Sequence, residues 1–113
     1  MLLYACISCN AQKGTIHSVQ KIPNGKWICV QDSLSSIIVK GEFIYSYYEN
    51  SPVDTSKYIL IKQTCESSYK SSKKEALFLK WGNSLCYEVE GITQEYIELT
   101  YTANGKTITY IKQ

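Results

Sequence analysis

The chain of 113 residues contains no arginine and a single histidine, His17. Arginine supplies the planar fork that grips phosphate and guanine at two points, so its absence weighs against recognition of nucleotides or nucleic acid. Twelve lysines against ten acids leave a net charge of +2, too little for an electrostatic footprint on a polyanion. With one imidazole, neither a Ser-His-Asp nor a Cys-His arrangement has a base in the folded part, and a zinc site has no paired histidine ligand. Gly-rich phosphate loops and calcium-loop spacing are missing too. No apolar run approaches the ~18 residues that a spanning helix needs, and no segment holds a helical period. The sequence therefore predicts no enzyme, no catalytic residues, no cofactor and no metal site.

What is present is β-like. Hydrophobic residues make up 44% and charged residues 19%, an ordinary globular balance, and the length suits one domain with a modest core. Ten tyrosines and runs of isoleucine, valine and threonine favour strands. Residues 1–24 read as a leader: Leu2 to Ile7 is a short apolar run, Cys6 and Cys9 each stand where a bacterial lipobox would place its cysteine, and a polar stretch containing His17 ends in the turn Pro23-Asn24-Gly25. Cys9 is the favoured lipidation site, because Ser8 precedes it and Asn10-Ala11-Gln12-Lys13 resembles the start of a tether; Cys6 and an edge strand over residues 2–8 are the alternatives. The domain proper is expected over residues 25–113.

Along that domain, short runs alternate apolar and polar side chains between turn signals. Gly25 to Gln31, Ser35 to Lys40, Phe43 to Tyr48, Tyr58 to Ile61, Leu77 to Trp81, Leu85 to Glu90, Ile97 to Tyr101 and Thr107 to Lys112 are the expected strands. Phe43, Tyr45 and Tyr47 are assigned to one face, Ile44, Ser46 and Tyr48 to the other. Asn50 to Asp54 reads as a loop, Glu66 to Lys74 as a solvated connection, and Asn104-Gly105 as a type I′ hairpin turn. Glu88 and Glu90 fall on the polar side of their strand and read as a solvated face. The pattern predicts an all-β fold: about eight antiparallel strands in an up-and-down meander, closed into a small barrel, with an open two-sheet sandwich as the alternative.

Cys29, Cys65 and Cys86 remain for the folded part. Three pairings are possible, and Cys65 with Cys86 is favoured because both fall outside the core and would bridge the Glu66 to Lys74 connection. Cys29, between Ile28 and Val30, reads as a buried free thiol. Trp27, Tyr45, Tyr47, Tyr87, Tyr101 and Tyr110 are the candidate ligand-binding residues, since phenols inside a small barrel present an apolar body with a polar tip. Core packing explains the same pattern.

Gly25-Lys26-Trp27, Asp32 to Val39, Tyr47-Tyr48, Cys86-Tyr87-Glu88-Val89 and the closing stretch Leu99 to Lys106 together resemble the small lipocalin-like lipoproteins of Bacteroidetes-type bacteria, over residues 25–112. The resemblance implies an eight-stranded lipocalin-like barrel, a periplasmic or outer-membrane location by lipid anchor, and no enzymatic role. The chain is shorter than a classical lipocalin and lacks the helix that usually follows the barrel. The expectation is a monomeric cell-envelope protein that touches the membrane through its anchor alone and binds a small apolar ligand. The alternative is an envelope interaction module of inhibitor or immunity type with a packed interior.

Overall fold

The computed structural model describes residues 21–113, so Cys6, Cys9 and His17 lie outside the described residues. Eight strands follow one another: β1 (Gly25–Cys29), β2 (Ser35–Lys40), β3 (Phe43–Tyr48), β4 (Ser51–Ile61), β5 (Leu77–Trp81), β6 (Leu85–Ile92), β7 (Tyr96–Tyr101) and β8 (Thr107–Lys112). Each pairs antiparallel with the next, and β8 returns to β1 through Trp27↔Lys112, Ile28↔Ile111 and Cys29↔Tyr110, which closes the meander into a barrel. Closure takes both terminal strands out of the edge position, where an unpaired ladder would invite association.

Register decides which side chains face inward. Trp27 lies opposite Ile37, Val39 opposite Ile44, Leu79 opposite Tyr87 and Ile97 opposite Tyr110, so these positions share the interior. Trp27, Ile44, Leu79, Ile97, Leu99, Val39 and Val89 are all less than 2% exposed and pack the barrel. In β6 the ladder shifts between Val89 and Gly91, leaving Glu90 as an extra residue. That bulge lets Val89 and Ile92 both turn inward, a spacing that strict alternation forbids. Gly91 is needed there for room: a Cβ would stand 3.1 Å from the Tyr96 ring, which lies across it.

Several expectations need correction. The fold starts before residue 25: Ile22 is 2% exposed, its N–H donates to the Tyr58 hydroxyl at 2.9 Å, and the Pro23 carbonyl accepts from Trp27 Nε1 at 3.2 Å. Ile22 to Asn24 thus plug one end of the barrel. In β3 the faces are reversed. The pairing of Val39 with Ile44 and Ile37 with Ser46 turns Ile44 into the core and puts Phe43, Tyr45 and Tyr47 on the outer surface. Isoleucine fits a narrow interior that already holds Trp27, whereas an inward tyrosine would have to bury its hydroxyl as well. Asn50 to Asp54 is not a loop. Glu49 and Asn50 both have positive φ (50° and 67°) and join Tyr48 directly to Ser51 as a two-residue hairpin, after which β4 runs on through Pro52. Pro52 sits where β4 has no strand on its other side, the setting in which a strand tolerates proline. The type I′ assignment to Asn104-Gly105 fails for the complementary reason: only Gly105 has positive φ, and its N–H closes a wider turn onto Tyr101.

Candidate functional site

The turns at one end of the barrel follow the odd-numbered strands: Gln31 to Leu34, Glu49-Asn50, Gly82 to Ser84 and Thr102 to Lys106. The plugged end carries residues 21–24, the Gly41-Glu42 turn, the 62–76 connection and the 93–95 turn. At the open end a cleft of about 340 Å³ lies between Gln31 and the 102–106 turn, lined by Tyr87, Tyr101, Ile108, Asn104, Lys106 and Thr107 as well. We refer to it as the mouth.

Its aromatic wall is layered. The Trp81 and Tyr87 rings lie 5.7 Å apart at 43°, and the Tyr87 and Tyr101 rings 5.2 Å apart at 40°, so tilted contacts run from the buried Trp81 out to the half-exposed Tyr101. β6 and β7 set this up by placing Tyr87 directly opposite Tyr101 on the inward face. Burial, and then the neighbouring Tyr101, push the Tyr87 phenol above its ordinary range, which keeps it a neutral hydrogen-bond donor at physiological pH. Beneath the wall Tyr110 is 4% exposed, and burial with Cys29 and Tyr87 nearby holds its phenol protonated more firmly still. The buried Cys29 thiol donates to Gln31 Oε1 at 3.6 Å, and the same oxygen accepts from the Thr109 N–H at 2.9 Å. Lys106 is the one charged side chain in the lining, and it has no ion pair among the described residues.

The candidate residues named from sequence are thereby separated. Tyr87 and Tyr101 come together at the mouth with Tyr110 below them. Trp27 is fully buried toward the plugged end, where Lys112 Nζ stands 5.0 Å from its ring centroid. Tyr45 and Tyr47 lie outside the barrel, half-buried in a row with the exposed Phe43. Ile108, Asn104 and Lys106 were not singled out from sequence. Ile108 was legible as an inward residue of β8, but the two others belong to a turn whose path no local pattern announces.

A polar cluster lies on the outer face of β6, the strand whose inward Tyr87 lines the mouth. Residues 62–76, of which Glu66 to Lys74 read from sequence as a solvated connection, fold back over β5 and β6 as a strap. Cys65 is bonded to Cys86 as expected, and the Tyr69 ring meets the buried Phe78 edge-on at 6.0 Å. Glu88, expected to be solvated, is 3% exposed under the strap. It accepts from the Tyr69 and Ser71 hydroxyls, both at 2.6 Å, while Lys73 Nζ reaches it at 3.3 Å and Glu90 at 2.6 Å. Burial pushes the Glu88 carboxyl up, but Ser71, Tyr69 and Lys73 together pull it below its ordinary range. In turn Glu88 drives the Tyr69 phenol up to about 12. Both oxygens of the carboxylate are engaged by groups of the strap, so this cluster fastens the strap to β6. Among the described residues, no group of three or more histidine, cysteine or acidic side chains gathers as metal ligands would.

Comparison with protein-family models, with curated proteins and with solved structures finds no match for this chain.

Proposed function

We propose that this barrel is a lipid-anchored, lipocalin-like protein of the bacterial cell envelope that binds a small amphipathic anion at its mouth. The observation that carries the binding is the mouth itself: a cleft of about 340 Å³ walled by Tyr87, Tyr101 and Ile108, with Lys106 as its only charge. That volume falls at the lower end of the ~300–1,000 Å³ range of small-molecule sites. Two ring faces and an aliphatic side chain favour an apolar body, and an unpaired ammonium favours a carboxylate or sulfonate at the rim. The ligand rests on the packed core, because the interior below the mouth is filled by side chains. The Cys65–Cys86 disulfide supports an oxidising compartment, and the spacing of Cys6 and Cys9 supports the anchor.

The test uses 1-anilinonaphthalene-8-sulfonate, an apolar anion whose emission rises on leaving water and which accepts energy from Trp81. The expected result is saturable enhancement that falls sharply in Tyr101→Ala and in Lys106→Glu. Equal enhancement in all three proteins, or none up to millimolar dye, would reject the mouth as a site. The outward-facing row of Phe43, Tyr45 and Tyr47 favours a second function, that of an interaction module, for which Tyr45→Ala and not Tyr101→Ala would abolish partner capture from envelope extracts.

A further inference from the structure

β4 has eleven residues, but only Tyr58 to Ile61 pair with β5. From Ser51 to Lys57 the strand has β3 on one side, and no strand on the other among the described residues. Main-chain groups of an antiparallel strand point alternately to its two sides. The Tyr58 N–H donates to the Glu42 carbonyl on the β3 side at 2.9 Å, while the Lys57 carbonyl accepts from the Gly82 N–H on the β5 side at 2.8 Å. By alternation the N–H and C=O of Thr55 also face the β5 side. There β5 has already turned away at Gly82, and a cleft of about 370 Å³ opens, lined by Thr55, Ser56, Lys57, Lys80 and Asn83 among others.

Proteins ordinarily blunt such an edge with proline, a bulge or charge. Pro52 and the ladder shift at Val53 guard the hairpin tip, but they leave Asp54 to Lys57 in regular register with β3 and accessible on the other side, with Val53 65% exposed. Two lysines, Lys57 and Lys80, line the cleft. Lys57 shares an exposed contact with Glu42 at 3.2 Å, and Lys80 has no ion pair among the described residues. Asp54, on the other face of β4, is occupied by the Ser56 hydroxyl at 2.6 Å.

We infer that the open edge of β4 accepts an extended acidic peptide, which adds a short strand in the place β5 vacates. Main-chain hydrogen bonds to the N–H and C=O of Thr55 supply the pairing, and acidic side chains on the peptide's outer face meet the unpaired Lys80 first and Lys57 beside it. The site is separate from the mouth, on the other side of the Gly82 to Ser84 turn, so the two bind independently.

The test titrates the full, isotope-labelled chain with a blocked peptide of alternating glutamate and threonine, then with its lysine-threonine counterpart, and reads amide shifts by NMR. Shifts confined to Val53, Thr55, Lys57, Gly82 and Asn83 are expected with the acidic peptide alone. Thr55→Pro removes an N–H that no barrel bond uses and should abolish them. Lys80→Glu, on an exposed side chain, should weaken binding by about threefold, the effect of one rim charge, and it carries the test however β4 tolerates proline. Absence of shifts at millimolar peptide, equal response to the basic peptide, or shifts that survive both substitutions would overturn the inference. So would the same amides shifting with protein concentration alone, which would assign the edge to a second copy of the chain.

Discussion

Replacing Glu88 with alanine is expected to cost more stability than any other single polar substitution in the molecule. The carboxylate is 3% exposed and accepts two hydroxyl bonds of 2.6 Å, from Tyr69 and Ser71. Hydrogen bonds to a charged group contribute about 1.5–3 kcal/mol each. The Lys73 arm adds less, on the order of 0.5 kcal/mol, because its side chain is 37% exposed and leans more closely on Glu90. Together these contacts come to about 3.5–6.5 kcal/mol. Against a typical stability of about 5–15 kcal/mol this brings a domain of such size close to unfolding. Urea denaturation followed by tryptophan fluorescence at pH 7 gives the difference. The pH dependence provides an independent check. Glu88 is held below the ordinary value of 4.5 in the folded protein, so its contribution is complete above that value and is lost as pH falls through the lower, folded one. Wild-type stability should therefore drop as pH falls below 4.5, and the alanine variant should show a shallower acid limb. A loss below about 1 kcal/mol, the net worth of an ordinary neutral hydrogen bond, or an unchanged acid limb, would refute the account of the strap.

Two further outcomes follow from the core and the disulfide. Ile44→Ala removes a fully buried side chain and should cost about 2–5 kcal/mol, whereas Tyr45→Ala, on the outer face, should cost under about 1 kcal/mol; thermal unfolding of the pair reads the face of β3 directly, and the reverse order would contradict the β2–β3 register. Cys65→Ser opens a loop of 21-residue separation and should cost about 3 kcal/mol on the chain-entropy estimate, with faster amide exchange confined to residues 62–76; exchange spreading through β1 to β4 would show that the strap is not an independent unit.

Much of the barrel was legible because its second half alternates cleanly. Leu85, Tyr87 and Val89 in β6, Ile97, Leu99 and Tyr101 in β7, and Ile108 and Tyr110 in β8 all face inward as the period of two requires. The first half misleads where size and polarity point opposite ways. In Phe43 to Tyr48 the bulkier alternate set is the outer one, and the register of the β2–β3 hairpin, which sets Ile44 opposite Val39, decides the matter. Glu88 misled for a related reason: its own strand announces a solvent face, and what covers it lies 17 to 19 residues away in sequence, in a serine- and lysine-rich stretch with no pattern of its own. The mouth was half legible. Tyr87 and Tyr101 could be named from alternation, but their meeting with Asn104 and Lys106 depends on a turn wider than its Asn-Gly pair suggests.

The plug formed by Ile22, Pro23 and Asn24 gives the molecule a direction. Lys21 enters the barrel at the end opposite Tyr101 and Lys106, so the aromatic opening is the face of the barrel farthest from the described amino terminus, and a molecule can reach it without passing the plug.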